Sequence, residues 1–449
     1  MTGERRETTL FDIAIPTRGT VSGPFGSSIS KQFFVSNGVP VIRGNNLSLG
    51  TNGPRFRDDD FVYLTSDKAD ELSSAECLPG DLIFTARGTI GQVGLISLDA
   101  RFPRYILSAN QLRLRSDAKI ADALYLYYWF SSPKMVAVMQ GRNAGSALPN
   151  MNLGALRGLP VVLPPLPEQH AIGRILGAFD DKIELNRRMN ETLEAMARTL
   201  FKSWFINFDP VRAKAAGRDP VLPTDIAALF PDSFQDSDLG EIPKAWKVGR
   251  VADIGAVVCG KTPPTQIPEF YGDDVPFITI PDMHGRVFAT HTQKRLSRAG
   301  AAWQQKKTIP DHVICVSCIA TPGLVVITSE AAQTNQQINT VVPSRSNEAY
   351  YWFWSLRDLG EEIRSGASGG SVVSNLSTGR FSDLRVLTPA AQLRSCYHSL
   401  VTPVFSRILA NAKESDTLAI LRDTLLPKLL SGELHVQTDQ QLWRGRDYL

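Results

Sequence analysis

From Ile172 onward, seam positions recur at alternating steps of three and four: Ile172, Ile175, Phe179, Lys182, Asn186, Met189, Leu193, Met196 and Leu200. That spacing is a heptad seam and predicts one long helix with a narrow face for a partner helix. Two members break the apolar rule. Lys182 does so beside Ile183, which can take its place, and Asn186 does so outright. The register returns 225 residues later as Tyr397, Leu400, Val404, Arg407, Asn411, Glu414, Leu418, Leu421 and Leu425, with polar breaks at Arg407 and Asn411 matching Lys182 and Asn186. Two amphipathic surface helices would also satisfy the spacing. The matched breaks favour pairing of the two helices with each other, because an asparagine at a seam position sets register and partner choice at some cost in stability.

The recurrence extends beyond the helices. Gly145-Ser146 meets Gly370-Ser371, Asn150 meets Asn375, Gly154 meets Gly379, Val161 meets Val386 and Pro164 meets Pro389. A period of half the chain is too long for a solenoid and predicts two tandem copies of one unit. The front of each copy alternates short β-rich runs, such as Val39–Ile42 and Val275–Ile278, with turns rich in Gly, Pro, Asn and Asp. The aromatic runs Tyr125–Phe130 and Tyr350–Trp354 have helical spacing and are expected to fill a core. Proline-rich approaches, Leu163–Pro167 and Leu387–Pro389, set the angle at which each helix leaves its domain. The first helix should end near Phe208, and a polar link should run from Val211 to Gly240. The second should be interrupted at Pro427 and end at Ser431-Gly432.

Composition narrows the class. The 449 residues are 43% hydrophobic and 21% charged, with a net charge of +3. This is an ordinary globular balance, so any nucleic-acid surface must come from local gathering of basic side chains. No apolar run reaches the length of a membrane span, and MTGERRETTL carries no secretory signal. Five cysteines make no disulfide framework, and Cys315 and Cys318 sit in an apolar run that reads as a buried strand, so a reducing cytoplasm is expected.

One motif argues for catalysis. Gly255-Ala-Val-Val-Cys-Gly260-Lys261-Thr262 matches the phosphate-binding loop letter for letter. Pro263-Pro264 follows at once, so the helix such a loop needs cannot start there, and the interior residues are bulky. A methyltransferase cofactor loop, a nuclease signature and metal-ligand spacing of the six histidines are all missing from the sequence. The chain is therefore expected to bind no cofactor or metal and to leave chemistry to partners. A stand-alone scaffold joining two protein-binding modules remains an alternative.

The segment Leu163-Pro-Pro-Leu-Pro-Glu-Gln-His-Ala-Ile is similar to the run that opens the central conserved helix of type I restriction–modification specificity subunits. Asp238–Trp246, Gly260–Pro264, Tyr271-Gly272 and Pro276–Ile278 resemble the start of that family's second target-recognition domain, and Leu429–Leu434 resembles its C-terminal helix ending. Pro389-Ala-Ala-Gln392 departs from the Pro-Glu-Gln of the first helix approach. The resemblance implies an α+β protein. Two mixed α/β target-recognition domains are joined by two long conserved helices that form an antiparallel coiled coil, with a pseudo-two-fold repeat. The expected limits are 1–162 and 240–388 for the domains, 163–209 and 389–434 for the helices, 210–239 for the linker and 435–449 for a tail. It implies a non-catalytic reader of double-stranded DNA, one half-site of an asymmetric bipartite target per domain. Two modification (methyltransferase) subunits and the translocase-nuclease subunits would join it, carrying S-adenosylmethionine and ATP with magnesium. A helix of about 35 residues is roughly 50 Å long, enough to hold two readers about 34–36 Å or more apart.

Candidate DNA contacts are polar and basic side chains in irregular segments. They are Arg43, Asn45, Asn46, Arg87, Arg104, Asn110, Gln111 and Arg142 in the first domain, and Lys261, His284, Arg286, Lys294, Arg295, Lys306 and Lys307 in the second. Arg and Lys suit guanine edges and phosphates, and Asn and Gln suit adenine. Gly88 and Gly91 are expected to shape a turn.

Overall fold

The computed structural model describes residues 5–142, 150–367 and 375–436. Gly145-Ser146, Gly370-Ser371 and the tail beyond 436 lie outside them. The chain forms two compact units, Met1–Glu184 with Thr417–Leu449, and Leu185–Asp416. The expected domain limits treated the helices as separate spacers, whereas each unit takes in half of each long helix. The reason is burial. In the first unit Ile172, Leu176, Leu426 and Leu429 join one core with Tyr125, Tyr128 and Phe130; in the second Ala197, Phe201, Trp204, Tyr397 and Phe405 join another with Tyr351, Trp354 and Leu356. Removing one such side chain from water contributes about 1.5–3 kcal/mol, more than isolated helical turns supply.

The two units share a topology that their sequences barely show. In the first, a five-stranded sheet runs Thr20–Ser22, Gln111–Leu114, Leu82–Thr85, Gln92–Leu95, Ser48–Leu49. In the second, the corresponding order is Gly255–Cys259, Ile338–Pro343, Ile314–Ser317, Val325–Thr328, Phe288–Ala289. The last strand pairs antiparallel in the first unit and parallel in the second. Beside each lies a smaller sheet containing one parallel pair, Val41 with Ile106 and Phe277 with Gln333. A two-strand ribbon closes each unit, Arg6–Thr9 with Pro160–Leu163 and Lys247–Arg250 with Arg385–Thr388. The aromatic helices Ala123–Ser131 and Ala349–Asp358 lie buried against the sheets, each sending one tyrosine hydroxyl to the closing ribbon: Tyr125 Oη donates to Val162 O at 2.6 Å and Tyr351 Oη to Leu387 O at 2.7 Å.

The long helices span Leu166–Phe205 and Ala391–Ser431. The second runs through Pro427 without the expected interruption. Pro403 and Pro427 both point to solvent, as do Ser399 and Asp423 one turn earlier, so the carbonyls that lose a donor face water. Within the second unit the helices run antiparallel: Tyr397 Oη donates to Ala197 O at 2.9 Å, Asn190 Nδ2 to Ile408 O at 3.2 Å, and Asn186 Nδ2 to Glu414 Oε2 at 2.8 Å. Asn186 and Asn411, 0% and 1% exposed, occupy the same repeat position. Each reaches across to the same place on the other helix, Asn186 Nδ2 to Ser415 Oγ at 3.3 Å and Asn411 Nδ2 to Asn190 Oδ1 at 2.9 Å.

The seam differs from the expected one in one of its two stripes. Ile172, Asn186, Tyr397 and Asn411 are buried, and Phe179, Leu193, Leu200, Val404, Leu418 and Leu425 are half-buried. Most alternate positions lie one residue later than expected: Leu176, Ala197, Val401, Ile408 and Arg422 rather than Ile175, Met196, Leu400, Arg407 and Leu421, while Lys182 and Ile183 are both half-buried. Met196 is 59% exposed, and Leu400 and Leu421 are 45% exposed, so Leu400 is not a seam residue; Ile175 is half-buried beside one. Steps of four then three fit the heptad as well as three then four, and they place Ile408 inward with exposed Arg407 beside it.

One buried layer is charged in the first unit and apolar in the second. Asp180 accepts from Arg422 Nη1 at 2.6 Å and from Tyr128 Oη at 2.5 Å, and Arg422 is 4% exposed. Their repeat counterparts are Phe405, Ala197 and Trp354, with the Trp354 and Phe405 rings 6.3 Å apart. The expected polar link is also packed: Val211 and Phe230 join the second unit's core, and Lys214 Nζ donates to Ala227 O at 3.1 Å. Among the described residues no helix is long and apolar enough to cross a membrane.

Candidate nucleic-acid interface

In the first unit the sheet ends open on a cleft of about 630 Å³. Five of the eight candidates expected there, Arg43, Asn45, Arg87, Asn110 and Gln111, line it together with Gly26, Gly44, Thr85, Gly88, Thr89, Gln92 and Ser108. The loop after Val39–Ile42 is held in place by amides. Asn46, fully buried, accepts from Arg43 N–H at 2.9 Å and donates to Arg57 O and Asp59 O, both at 2.9 Å. It is a structural clamp beneath the cleft. Gln92 donates to Gly44 O and Leu47 O at 3.2 Å, and Thr85 Oγ1 donates to Gln92 Oε1 at 2.9 Å. Gln111, also buried, sits with its amide nitrogen 3.3 Å from Ile42 O and its amide oxygen 3.2 Å from Gly44 N.

The rim divides into committed and uncommitted groups. Arg43 Nη2 donates to Asp60 O at 3.0 Å, and Asn45 Nδ2 to Asp60 Oδ2 at 2.8 Å. Arg87 and Asn110 are exposed, and neither side chain has a polar partner among the described residues. Gly88 and Gly91, at φ of +106° and +99°, turn the backbone after Arg87 through conformations that favour glycine. Two candidates lie outside the cleft. Arg104 pairs with Asp70 at 2.6 Å and Glu76 at 3.6 Å on the surface. Arg142 donates to Ala155 O at 2.9 Å and Gly158 O at 2.7 Å, satisfying the carbonyls at the end of Leu153–Arg157.

The second unit places the corresponding surface by backbone register. Gly23 N–H donates to Gln111 O, and Gly260 N–H to Ile338 O, so Lys261 and Thr262 stand where Pro24 and Phe25 stand in the first unit. Both glycines are required by close approach: an added Cβ would lie 1.8 Å from Ser108 O or 2.2 Å from Asn335 O. Lys261 Nζ lies 4.3 Å above the Trp303 ring, and Thr262 Oγ1 donates to Gln336 Oε1 at 2.5 Å. The segment that resembles a phosphate loop is a strand, Gly255–Cys259, followed by irregular backbone. The Gly260 and Lys261 amides are already bonded to Ile338 O and Thr334 O, at 3.1 and 2.9 Å, leaving neither to cradle a phosphate. Arg286 pairs with Asp416 at 3.5 Å, and Arg295 donates to Asp273 O and Asp274 O at 2.9 and 3.1 Å, so both are structural. His284, Lys294 and Lys306 are exposed and Lys307 is half-buried.

Trp303, Gln336 and Gln337 were missed as candidates. The amide-rich run Asn335-Gln-Gln337 precedes its strand as Ser108-Ala-Asn110 precedes Gln111, and that alignment was the available signal. Cys315 and Cys318 are buried, and among the described residues no group of His, Cys, Asp and Glu is placed to hold a metal ion. What the geometry offers is a polar cleft in the first unit and, at the matching register of the second, a surface that carries different side chains.

Comparison with known proteins agrees with that arrangement. The family model described as the type I restriction modification DNA specificity domain matches residues 26–195 and 243–393, once per unit. The type I restriction enzyme HindI specificity subunit of Haemophilus influenzae is 33% identical over 81% of this chain and 90% of its own. The MjaIX specificity subunit of Methanocaldococcus jannaschii is 26% identical, covering 93% and 92%. The crystal structure of the type I restriction–modification S subunit from M. genitalium shares the fold, with a TM-score of 0.59 at 15% identity over 95% of this chain and 96% of that one. A duplicated unit on two paired helices, matched twice by one family model, places this chain in the family of type I restriction–modification DNA specificity subunits.

Proposed function

We propose that each unit presents this surface to one half of a bipartite DNA target, and that the chain directs the partner subunits of a type I complex to that sequence. The observation that carries the reading is the pairing of shared topology with divergent side chains: Arg43, Asn45, Arg87 and Asn110 in the cleft of the first unit, Lys261, Thr262, Gln336 and Trp303 on the matching surface of the second. Equal frames with unequal side chains suit an asymmetric target. Arginine and lysine supply phosphate and guanine contacts, and amides supply adenine contacts.

The chemistry belongs to partners in this reading. Two methyltransferase subunits bring S-adenosylmethionine, and translocase-nuclease subunits bring ATP and magnesium, in the cytoplasm. The helices support two copies of one partner. Exposed Met196 in the second unit corresponds by the repeat to exposed Leu421 in the first, so an apolar side chain is offered at the same repeat position once per unit. Band-shift assays with the methyltransferase subunits on random-sequence DNA pools test the proposal. Enrichment of one bipartite sequence is expected; recovery of unselected DNA would sink it.

A further inference from the structure

We propose that Arg87 reads a guanine, and that the second unit reads its half-site without an equivalent cation. The proposal rests on the DNA-reading role above and assigns one of its contacts. Among the basic side chains lining the first cleft, Arg43 is spent on Asp60 O, while Arg87 is exposed and without a polar partner among the described residues. Its backbone is fixed on both sides. Arg87 N–H donates to Asn110 O at 3.3 Å, the residue bridges Asn150, and Gly88 then turns the chain away. The guanidinium therefore leaves from a set point with both fork edges open, the geometry that meets O6 and N7 of guanine together. In the second unit the same bridge is made by Ile319 to Asn375. Ile319 is half-buried and packed on the core, so no cation stands there.

The test uses the full chain in complex with its methyltransferase subunits, competed against targets carrying every base at each position. Wild type should demand guanine at one position, and Arg87→Ala should lower that preference on the order of 10- to 100-fold while other positions keep theirs. Arg87→Lys should retain part of it. A uniform loss across all sequences with a shallower salt dependence would make Arg87 a phosphate contact and overturn the assignment. An unchanged profile would also overturn it. Failure of the wild-type complex to prefer any sequence would instead sink the DNA-reading role itself.

A second inference rests on the helices alone. We infer that Asp180 and Arg422 commit the first long helix to the second and disfavour pairing of either helix with its copy in another molecule. The helices are repeats, so like-with-like pairing keeps most seam contacts. It would set Asp180 against Ala197, burying its carboxylate without a cation, and Arg422 against Phe405, leaving the guanidinium only its neighbour Asp423, 2.9 Å from Nε. The molecule shows that an apolar layer fits the same frame, since Trp354, Phe405 and Ala197 fill it in the second unit.

The double variant Asp180→Phe/Arg422→Ala copies that layer. It should keep the thermal stability that each single variant loses, yet form dimers as concentration rises, by sedimentation, where wild type stays monomeric. The charge-reversed variant Asp180→Arg/Arg422→Asp should stay monomeric, because it preserves the choice of partner. A monomeric double variant, or a dimeric charge-reversed one, would overturn the inference.

Discussion

At the scale of single residues, similar side chains divide by what they already hold. Arg142 and Arg87 both sit in polar loops of the first unit, but Arg142 serves two carbonyls whereas Arg87 has no polar partner among the described residues. Arg142→Ala should lower stability by about 1 kcal/mol and leave sequence preference unchanged, by chemical denaturation and competition binding. His398 gives a pH prediction. Its ring stacks on Tyr350 with centroids 4.3 Å apart, and Tyr350 N–H faces its Nδ1 at 3.4 Å. Burial first, then His312, holds its pKa below the usual histidine value, against a smaller upward pull from Glu348. The unfolded chain thus takes up a proton that the folded chain resists, so stability is complete above pH about 6.5 and falls as pH drops below it. Melting temperatures of wild type and His398→Gln should diverge on the alkaline side of that range and converge in acid. A constant difference across pH would contradict the assignment.

At the scale of elements, the helix pairing shows what spacing reveals and where it stops. Each turn of the seam offers two adjacent side chains, Ile175 or Leu176, Met196 or Ala197, Leu400 or Val401, and a heptad accepts either choice. The polar break at Arg407 was the clue, because Ile408 beside it goes inward. Leu421 against Arg422 could not be decided from spacing, since burial of the arginine depends on Asp180 and Tyr128 arriving from distant sequence. Ile408→Ala should cost about 2–5 kcal/mol, whereas Leu400→Ala should stay within about 0.5 kcal/mol and weaken capture of the methyltransferase subunit instead. Equal losses of stability from both would return Leu400 to the seam. Asn411→Ala should cost about 1–3 kcal/mol by leaving Asn190 Oδ1 without its donor.

At the scale of the whole molecule, the frame was legible and the reading surface only partly so. The 225-residue repeat, the strands at Val39–Ile42 and Val275–Ile278 and the buried aromatic helices follow from periodicity and composition. The shared sheet order of the two units does not, because the strands that make it are short and their loops have diverged. The same divergence hid Gln336, whose role emerges only when Gly260 is set against Gly23 by hydrogen-bond register. Asn46 and Arg104 had the right chemistry for DNA but are engaged inside the unit or with surface acids, which residue type alone cannot show. Two frames that match and two linings that differ make one claim about the molecule: its target has two unlike halves. Genome-wide mapping of methylated bases, with and without this gene, tests that claim most directly. The account predicts loss of a single bipartite motif whose two specified parts differ and are separated by an unspecified gap. Loss of a palindromic motif, or of none, would contradict it.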